Sequence, residues 1–238
     1  MNNKASPPTA RLLIADDHAL VREGMRAMLA SEPNLEVVGE AENGREALEL
    51  CRELRPDLIL MDVRMPEMDG MAATRVIKGE YPSTSVLIVT THESPEYLMD
   101  AIRAGAAGYV LKDSTKQQLL NAVRRVINGE TPLNQELAMQ LLQRLTVEEN
   151  QRHKAPLPES VRKRQEEALA EPLTDREIEI LRLLALGKTN RQLAQDLRVS
   201  LSTVKTYIQR VIGKLGVSDR TQAAVRAAEL GLLPEQEE

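Results

Sequence analysis

The sequence predicts an α/β domain on an open, doubly wound, five-stranded parallel sheet, followed by a small all-helical domain. Two observations carry that prediction. Between residues 11 and 130, five short apolar runs alternate with helix-length amphipathic stretches, the pattern of repeated βα units. After about residue 171 strand-like runs cease and four helical stretches follow, punctuated at Gly187, Val199-Ser200 and Gly216.

The apolar runs are Leu12 to Ala15, Leu35 to Val38, Leu58 to Met61, Val86 to Thr90, and Tyr109 to Leu111. Helix starts between them are marked by Asn43 with Glu46, by Ser94 before Pro95, and by Ser114 with Gln117. The last of these helices is expected to end near Asn128-Gly129, a left-handed stop. Residues 133–145 suit one more amphipathic helix. Residues 146–172 are charged, carry Pro156, Pro158 and Pro172, and read as a linker with a solvent-facing helix over 159–170.

In the helical part, Thr174 with Glu177 and Thr189 with Gln192 form capping boxes. The first helix places Ile178, Leu181 and Ala185 on one face, and a short second helix runs from Thr189 to Leu197. After Arg198-Val199-Ser200 a third helix reaches about Leu215, with Val204, Ile208, Val211, Ile212 and Leu215 as its buried stripe. A fourth is expected over about 219–230. The resulting division is an N-terminal arm 1–10, an α/β domain 11–130, a linker 131–172, a helical domain 173–232 and an acidic tail 233–238.

Composition narrows the function classes. With 42% hydrophobic and 28% charged residues in 238, the chain is of globular type and unlike collagenous, disordered or disulfide-scaffold sequences. A lone cysteine, Cys51, excludes an internal disulfide and any multi-cysteine metal site, and suits a reducing compartment. No apolar run reaches the ~18 residues of a spanning helix, and the first residues lack the apolar core of a signal peptide. The expectation is a cytoplasmic protein with no membrane partner. The net charge of -5 hides an asymmetry: residues 173–230 are +4, residues 1–172 are -6 and the last eight carry three glutamates. An acidic front and a basic back suggest two different partners.

Ligands of open parallel sheets bind outside the carboxyl ends of the strands, so the residues ending each run matter most. They are Asp16-Asp17, Asp62, Thr90 and Lys112. Three carboxylates on one rim repel one another without a cation, and hard oxygen ligands suit Mg2+. A carboxylate beside such a cation is competent to attack a phosphoryl group, with an ammonium neutralising the equatorial oxygens. Each residue alone reads better as a turn former or cap; the combination in order does not. In the helical domain the third helix leaves Lys205, Thr206 and Gln209 on an outward face. That face suits a DNA major groove, where Lys reaches guanine or phosphate, Gln pairs with adenine and the Thr methyl meets thymine. A merely solvated face is the competing reading.

With those residues in order, and with Leu58 to Gly70 (Leu-Ile-Leu-Met-Asp-Val-Arg-Met-Pro-Glu-Met-Asp-Gly) and Gly108 to Asp113 (Gly-Tyr-Val-Leu-Lys-Asp), residues 11 to about 130 resemble the receiver domain of two-component response regulators, a flavodoxin-like fold. Residues 199–207 and 214–223 resemble the LuxR-type helix-turn-helix. Together they resemble response regulators of the NarL/FixJ family. The resemblance implies that Asp62 is the phospho-acceptor, that Asp16, Asp17 and the backbone carbonyl of Arg64 join it in binding Mg2+, that Thr90 contacts and Lys112 pairs with the phosphoryl group, and that Tyr109 is the aromatic switch partner of Thr90. It implies DNA contacts from Lys205, Thr206 and Gln209, phosphate contacts from Lys188, Asn190 and Arg210, and a last helix that dimerises through Ala223, Ala224 and Ala227. Those alanines equally suit closure of the domain core. Implied partners are a sensor histidine kinase, double-stranded DNA with half-sites about 10 base pairs apart, RNA polymerase, and a second copy on activation. The resemblance further implies that the unphosphorylated receiver covers the DNA-reading helix.

Two departures stand out. Asp113 follows Lys112 where many receivers have proline. Arg64 and His92, two beyond the acceptor and two beyond the switch hydroxyl, border the expected path of the water that hydrolyses the acyl phosphate, and either tune its lifetime or are simply solvated. A Mg2+-dependent phosphohydrolase using Asp62 is the rival enzyme reading, but Arg64 stands where its second acid belongs. A regulator whose pocket is intact but unused is the other rival.

Overall fold

The computed structural model describes residues 9–91, 95–130 and 172–229. The chain divides into two compact units, over 1–128 and 129–238. In the first, β1 (Ala10–Ala15), β2 (Leu35–Ala41), β3 (Leu58–Asp62), β4 (Ser85–Thr90) and β5 (Gly108–Leu111) alternate with α1 (Ala19–Leu29), α2 (Gly44–Leu54), α3 (Gly70–Glu80), α4 (Pro95–Arg103) and α5 (Lys116–Ile127). The sheet has the order β2-β1-β3-β4-β5 and every pairing is parallel. The register shifts between Leu12–Val37 and Leu13–Gly39, which leaves Val38 as an extra residue on the edge strand.

Alternate strand residues face opposite ways, and this sequence is apolar in both directions. Leu12, Ile14, Leu58, Leu60 and Leu87 pack with Met25 and Leu29 of α1 and with Leu119, Leu120 and Val123 of α5. Leu13, Ala15, Ile59, Met61 and Ile88 pack on the other face with Ala47 and Cys51 of α2, Ala73 and Ile77 of α3 and Ala101 of α4. Two cores on one sheet are what make it doubly wound. Strand order reverses between β1 and β3, so the crevice at their carboxyl ends lies at the topological switch point.

Local signals account for the helix ends. Asn43 caps α2 by accepting from the Glu46 amide, and Gly129, just past α5, has φ +70°. The α5 start differs from expectation by one residue: Thr115 and Gln118 form a reciprocal capping box, in place of Ser114 with Gln117. The predicted cap Ser94, most of the N-terminal arm, the helix 133–145, nearly all of the linker with its 159–170 helix, and the acidic tail lie outside the described residues.

The second unit holds α6 (Asp175–Ala185), α7 (Asn190–Asp196), α8 (Leu201–Leu215) and α9 (Arg220–Glu229). Both expected capping boxes are present, at Thr174 with Glu177 and Thr189 with Gln192. Gly216, left-handed at φ +64°, ends α8. Ile180, Leu181, Leu184, Leu193, Val204, Ile208 and Val211 form the core, with Ile212 half-buried beside it.

Candidate phosphoacceptor pocket and nucleic-acid face

The pocket is assembled by the ends of β1, β3 and β5. Asp16 follows β1 and is fully buried, while Asp62 is the last residue of β3 and 6% exposed. The Nζ of Lys112, just beyond β5, lies 2.6 Å from Asp16 Oδ2 and 2.9 Å from Asp62 Oδ2. One ammonium thus bridges two carboxylates from different strands. Asp62 Oδ1 accepts from the Val63 amide at 2.8 Å. Burial pushes the Asp62 carboxyl above its ordinary range even though the Lys112 ammonium beside it pulls the other way. Burial also opposes the Lys112 charge, yet the hydrogen bonds to Asp16 and Asp62 outweigh it and leave the ammonium raised overall.

Asp17 is more open, with one third of its side chain exposed, and its Oδ1 lies 2.6 Å from His18 Nδ1. The Asp16 Oδ1 accepts from the His18 amide at 3.0 Å. Among the described residues, Asp16, Asp17 and His18 bring ligating atoms within 4.8 Å of one another. His18 is a neighbour that sequence reading missed, signalled only by its adjacency to the Asp-Asp pair. Of these, Asp16 is buried and Asp17 and His18 are exposed, and the carboxylate oxygens of Asp16 and Asp17 at an open rim fit a hard divalent cation.

Thr90, the last residue of β4, is 1% exposed, and its carbonyl accepts from the Lys112 amide at 2.7 Å. Tyr109, on β5, is half-buried against the α2–α4 side of the sheet. The Arg64 side chain is exposed and donates from Nη2 to the Tyr97 hydroxyl on α4, 3.0 Å away. His92 lies outside the described residues. Close approach is enforced at Gly70, the first residue of α3, where a Cβ would fall 1.8 Å from the Asp62 carbonyl oxygen.

On α8, Lys205, Thr206, Gln209 and Arg210 are all exposed. Thr206 donates its hydroxyl back to the Ser202 carbonyl at 3.0 Å, which turns its polar atom toward the helix. Lys188 is one-third exposed and pairs with Asp196 at 2.6 Å. Asn190 departs from expectation: it is 3% exposed and its Oδ1 accepts from buried Arg220 at 2.9 Å, leaving the side chain no surface for a phosphate. Ala223 and Ala227 also depart, because both are fully buried in the helical core; the core-closing alternative describes them, and only Ala224 is partly open. Small side chains let α9 approach closely and leave no side-chain surface for a second copy at those two positions.

Comparison with known proteins agrees with this geometry. Residues 12–124 match the family described as response regulator receiver domain, and residues 171–227 match bacterial regulatory proteins of the luxR family. The transcriptional regulatory protein LiaR of Bacillus subtilis is 41% identical over 218 residues, covering 91% of this chain and 96% of LiaR. The response regulator protein VraR of Staphylococcus aureus is 36% identical over 225 residues, covering 94% and 99%. The receiver domain of the response regulator NarL from Mycobacterium tuberculosis aligns with TM-score 0.51 at 39% identity, covering 52% of this chain and all of that domain. A LuxR-family response regulator from Aurantimonas aligns with TM-score 0.53 at 35% identity, covering 57% and 97%.

Receiver domains generally bind Mg2+ in such an acidic pocket, and phosphorylation by a histidine kinase is the family's general mechanism. No helix among the described residues is long and apolar enough to cross a membrane. The family consists of DNA-binding regulators rather than enzymes, which sets the phosphohydrolase reading aside. By sequence over nearly its whole length and by both of its units, this chain belongs to the transcriptional response regulators that join a receiver domain to a LuxR-type DNA-binding domain.

Proposed function

We propose that Asp62 is the phosphoryl acceptor and that its phosphorylation controls DNA binding through α8. The observation that carries this is the Asp16–Lys112–Asp62 bridge at the switch point of the sheet. A carboxylate oxygen of Asp62 attacks phosphorus of a kinase phosphohistidine; the new O–P bond forms as the N–P bond breaks, and the departing imidazole keeps the electron pair of that bond and takes a proton from water. Lys112 moves from its two carboxylates to the transferred group and offsets its equatorial charge. Asp16, Asp17, Asp62 and the Arg64 carbonyl would hold Mg2+, which when bound supplies charge neutralisation at the phosphoryl oxygens. Thr90, buried at the adjacent strand end, donates its hydroxyl to the phosphoryl group, and Tyr109 on the neighbouring strand follows its movement.

Arg64 and His92 set how long the acyl phosphate survives, by bulk and charge on the water's path. Unchanged dephosphorylation rates in Arg64→Ala and His92→Ala would remove that role. Lys205, Thr206 and Gln209 read bases, while Arg210 and Lys188 hold phosphates. The domain divisions at residues 130 and 173 separate these tasks. The reading also includes a cytoplasmic setting, a homodimer on activation and contact with RNA polymerase.

The test is intact mass of the full chain with Mg2+ and a small-molecule phosphoryl donor, then with a competent histidine kinase, beside Asp62→Asn. Gain of one labile phosphoryl group by the wild type alone is expected. No gain from either donor points to a regulator whose pocket is unused, as does equal DNA affinity of wild type and Asp62→Asn under phosphorylating conditions.

A further inference from the structure

Arg22, on α1 one turn beyond the acidic pair, is 7% exposed. Guanidinium groups are seldom buried unless fully paired, and this one is. Its Nη1 donates to the Asp16 main-chain carbonyl at 2.7 Å, its Nη2 to Glu42 Oε1 at 2.6 Å, and its Nε lies 3.3 Å from Glu40 Oε2. Glu40 and Glu42 flank Ala41 at the end of β2, and the Ala41 carbonyl accepts from the Asp16 amide at 3.1 Å. Both main-chain polar groups of Asp16 are therefore held from the β2 end, the N–H directly and the C=O through Arg22. The C=O belongs to the peptide that leads into Asp17, so its orientation fixes where that next carboxylate departs from the chain.

We propose that Arg22 is a positioning residue for the acidic pocket: by clamping the Asp16–Asp17 peptide to Glu40 and Glu42 it sets the cation affinity of that pocket. The inference rests on the assignment of Asp16, Asp17 and Asp62 as cation ligands made above. The arginine fork suits three acceptors in different directions, where a lysine supplies one point charge. Arg22 is not a ligand, and its charge works against cation binding. Removing that charge would by Coulomb attraction alone tighten the binding of Mg2+, whereas loss of positioning weakens it. The sign of the change separates the two.

The experiment is calorimetric titration of MgCl2 into the full chain for wild type, Arg22→Lys and Arg22→Met, each at a temperature where thermal unfolding shows it folded. Arg22→Met is expected to bind roughly 10-fold more weakly, the scale typical of lost outer-shell partners. Arg22→Lys keeps the charge, so a charge effect leaves it unchanged, while positioning predicts a loss of about threefold or more. If Arg22→Met does not fold, Arg22→Lys decides alone. Tighter binding by Arg22→Met, or Arg22→Lys within about twofold of wild type, overturns the proposal. Wild type that binds no Mg2+ overturns the cation assignment and this inference with it, whereas wild type that binds beside an unchanged Arg22→Lys overturns only the role of Arg22.

Discussion

Lys112 and Asp62 face each other at 2.9 Å across the carboxyl ends of β5 and β3, and the same ammonium reaches Asp16 at 2.6 Å. A single cation is thereby shared by two buried carboxylates on neighbouring strand ends. A phosphoryl group joined to Asp62 would compete with these two carboxylates for the same ammonium.

Removing that ammonium leaves Asp16 and Asp62 buried against each other. Lys112→Ala is expected to lose about 3–5 kcal/mol of receiver stability in metal-free buffer, the cost of orphaning a buried charge. Mg2+ should restore more stability to this variant than it adds to wild type, because it supplies the missing positive charge. Urea unfolding with and without Mg2+ reads both effects; equal responses to Mg2+ would contradict the shared-cation geometry.

Gly70→Ala tests the close approach behind the acceptor. Its Cβ would meet the Asp62 carbonyl oxygen at 1.8 Å, and that neighbour is backbone that cannot step aside without moving Asp62. The expected cost lies at the upper end of the ~1–3 kcal/mol typical of overpacking, with slower phosphorylation measured by intact mass. Gly79→Ala, also on α3 but with nothing within 4 Å, is the control: it should leave the phosphorylation rate unchanged and, by helix propensity, raise stability by up to about 1 kcal/mol.

Acid should loosen the helical unit through Glu177. This side chain is 4% exposed, closes the cap at Thr174 and accepts from Lys214 Nζ at 2.8 Å. Burial raises its carboxyl, but Lys214 and the Thr174 cap outweigh burial and hold it below the ordinary 4.5. A carboxyl depressed on folding adds stability that is fully present above the unfolded value and lost as pH falls through the folded one. Calorimetry of the full chain should show the helical transition falling as pH drops through and below the ordinary carboxylate range. Glu177→Gln should flatten that dependence and cost roughly 1.5–3 kcal/mol at neutral pH.

The α8 face and the α7 start should separate in DNA binding. Lys205→Ala and Gln209→Ala are each expected to lose about 1–3 kcal/mol of specific affinity and relax base preference. Arg210→Ala should weaken all sequences alike and reduce the salt slope by about one. Asn190→Ala removes the acceptor at 2.9 Å from the buried Arg220 guanidinium, which keeps its bond to the Lys188 carbonyl, and should lower thermal stability while leaving the salt slope unchanged. Fluorescence anisotropy of labelled duplexes across a salt series, beside thermal melts, checks all four; a shallower slope for Asn190→Ala would return it to the phosphate contacts.

Sequence by itself determined the strand runs, the capping boxes, the order Asp16-Asp17, Asp62, Thr90, Lys112 at the strand ends, and the outward face of α8. Each rests on short-range physics: the two-residue repeat of strands, the 3.6-residue repeat of helices, and side chains bonding amides three residues away. Even there, neighbours compete, as Thr115 took the cap that Ser114 offered. Only tertiary structure decided that Arg22 reaches Glu42 across 20 residues, that Arg64 reaches Tyr97 across 33, and that Arg220 reaches Asn190 across 30. It likewise decided that Ala223 and Ala227 close a core. A side chain's partners and burial at such separations follow from which faces meet when elements pack, and the residues near it in the chain do not specify that.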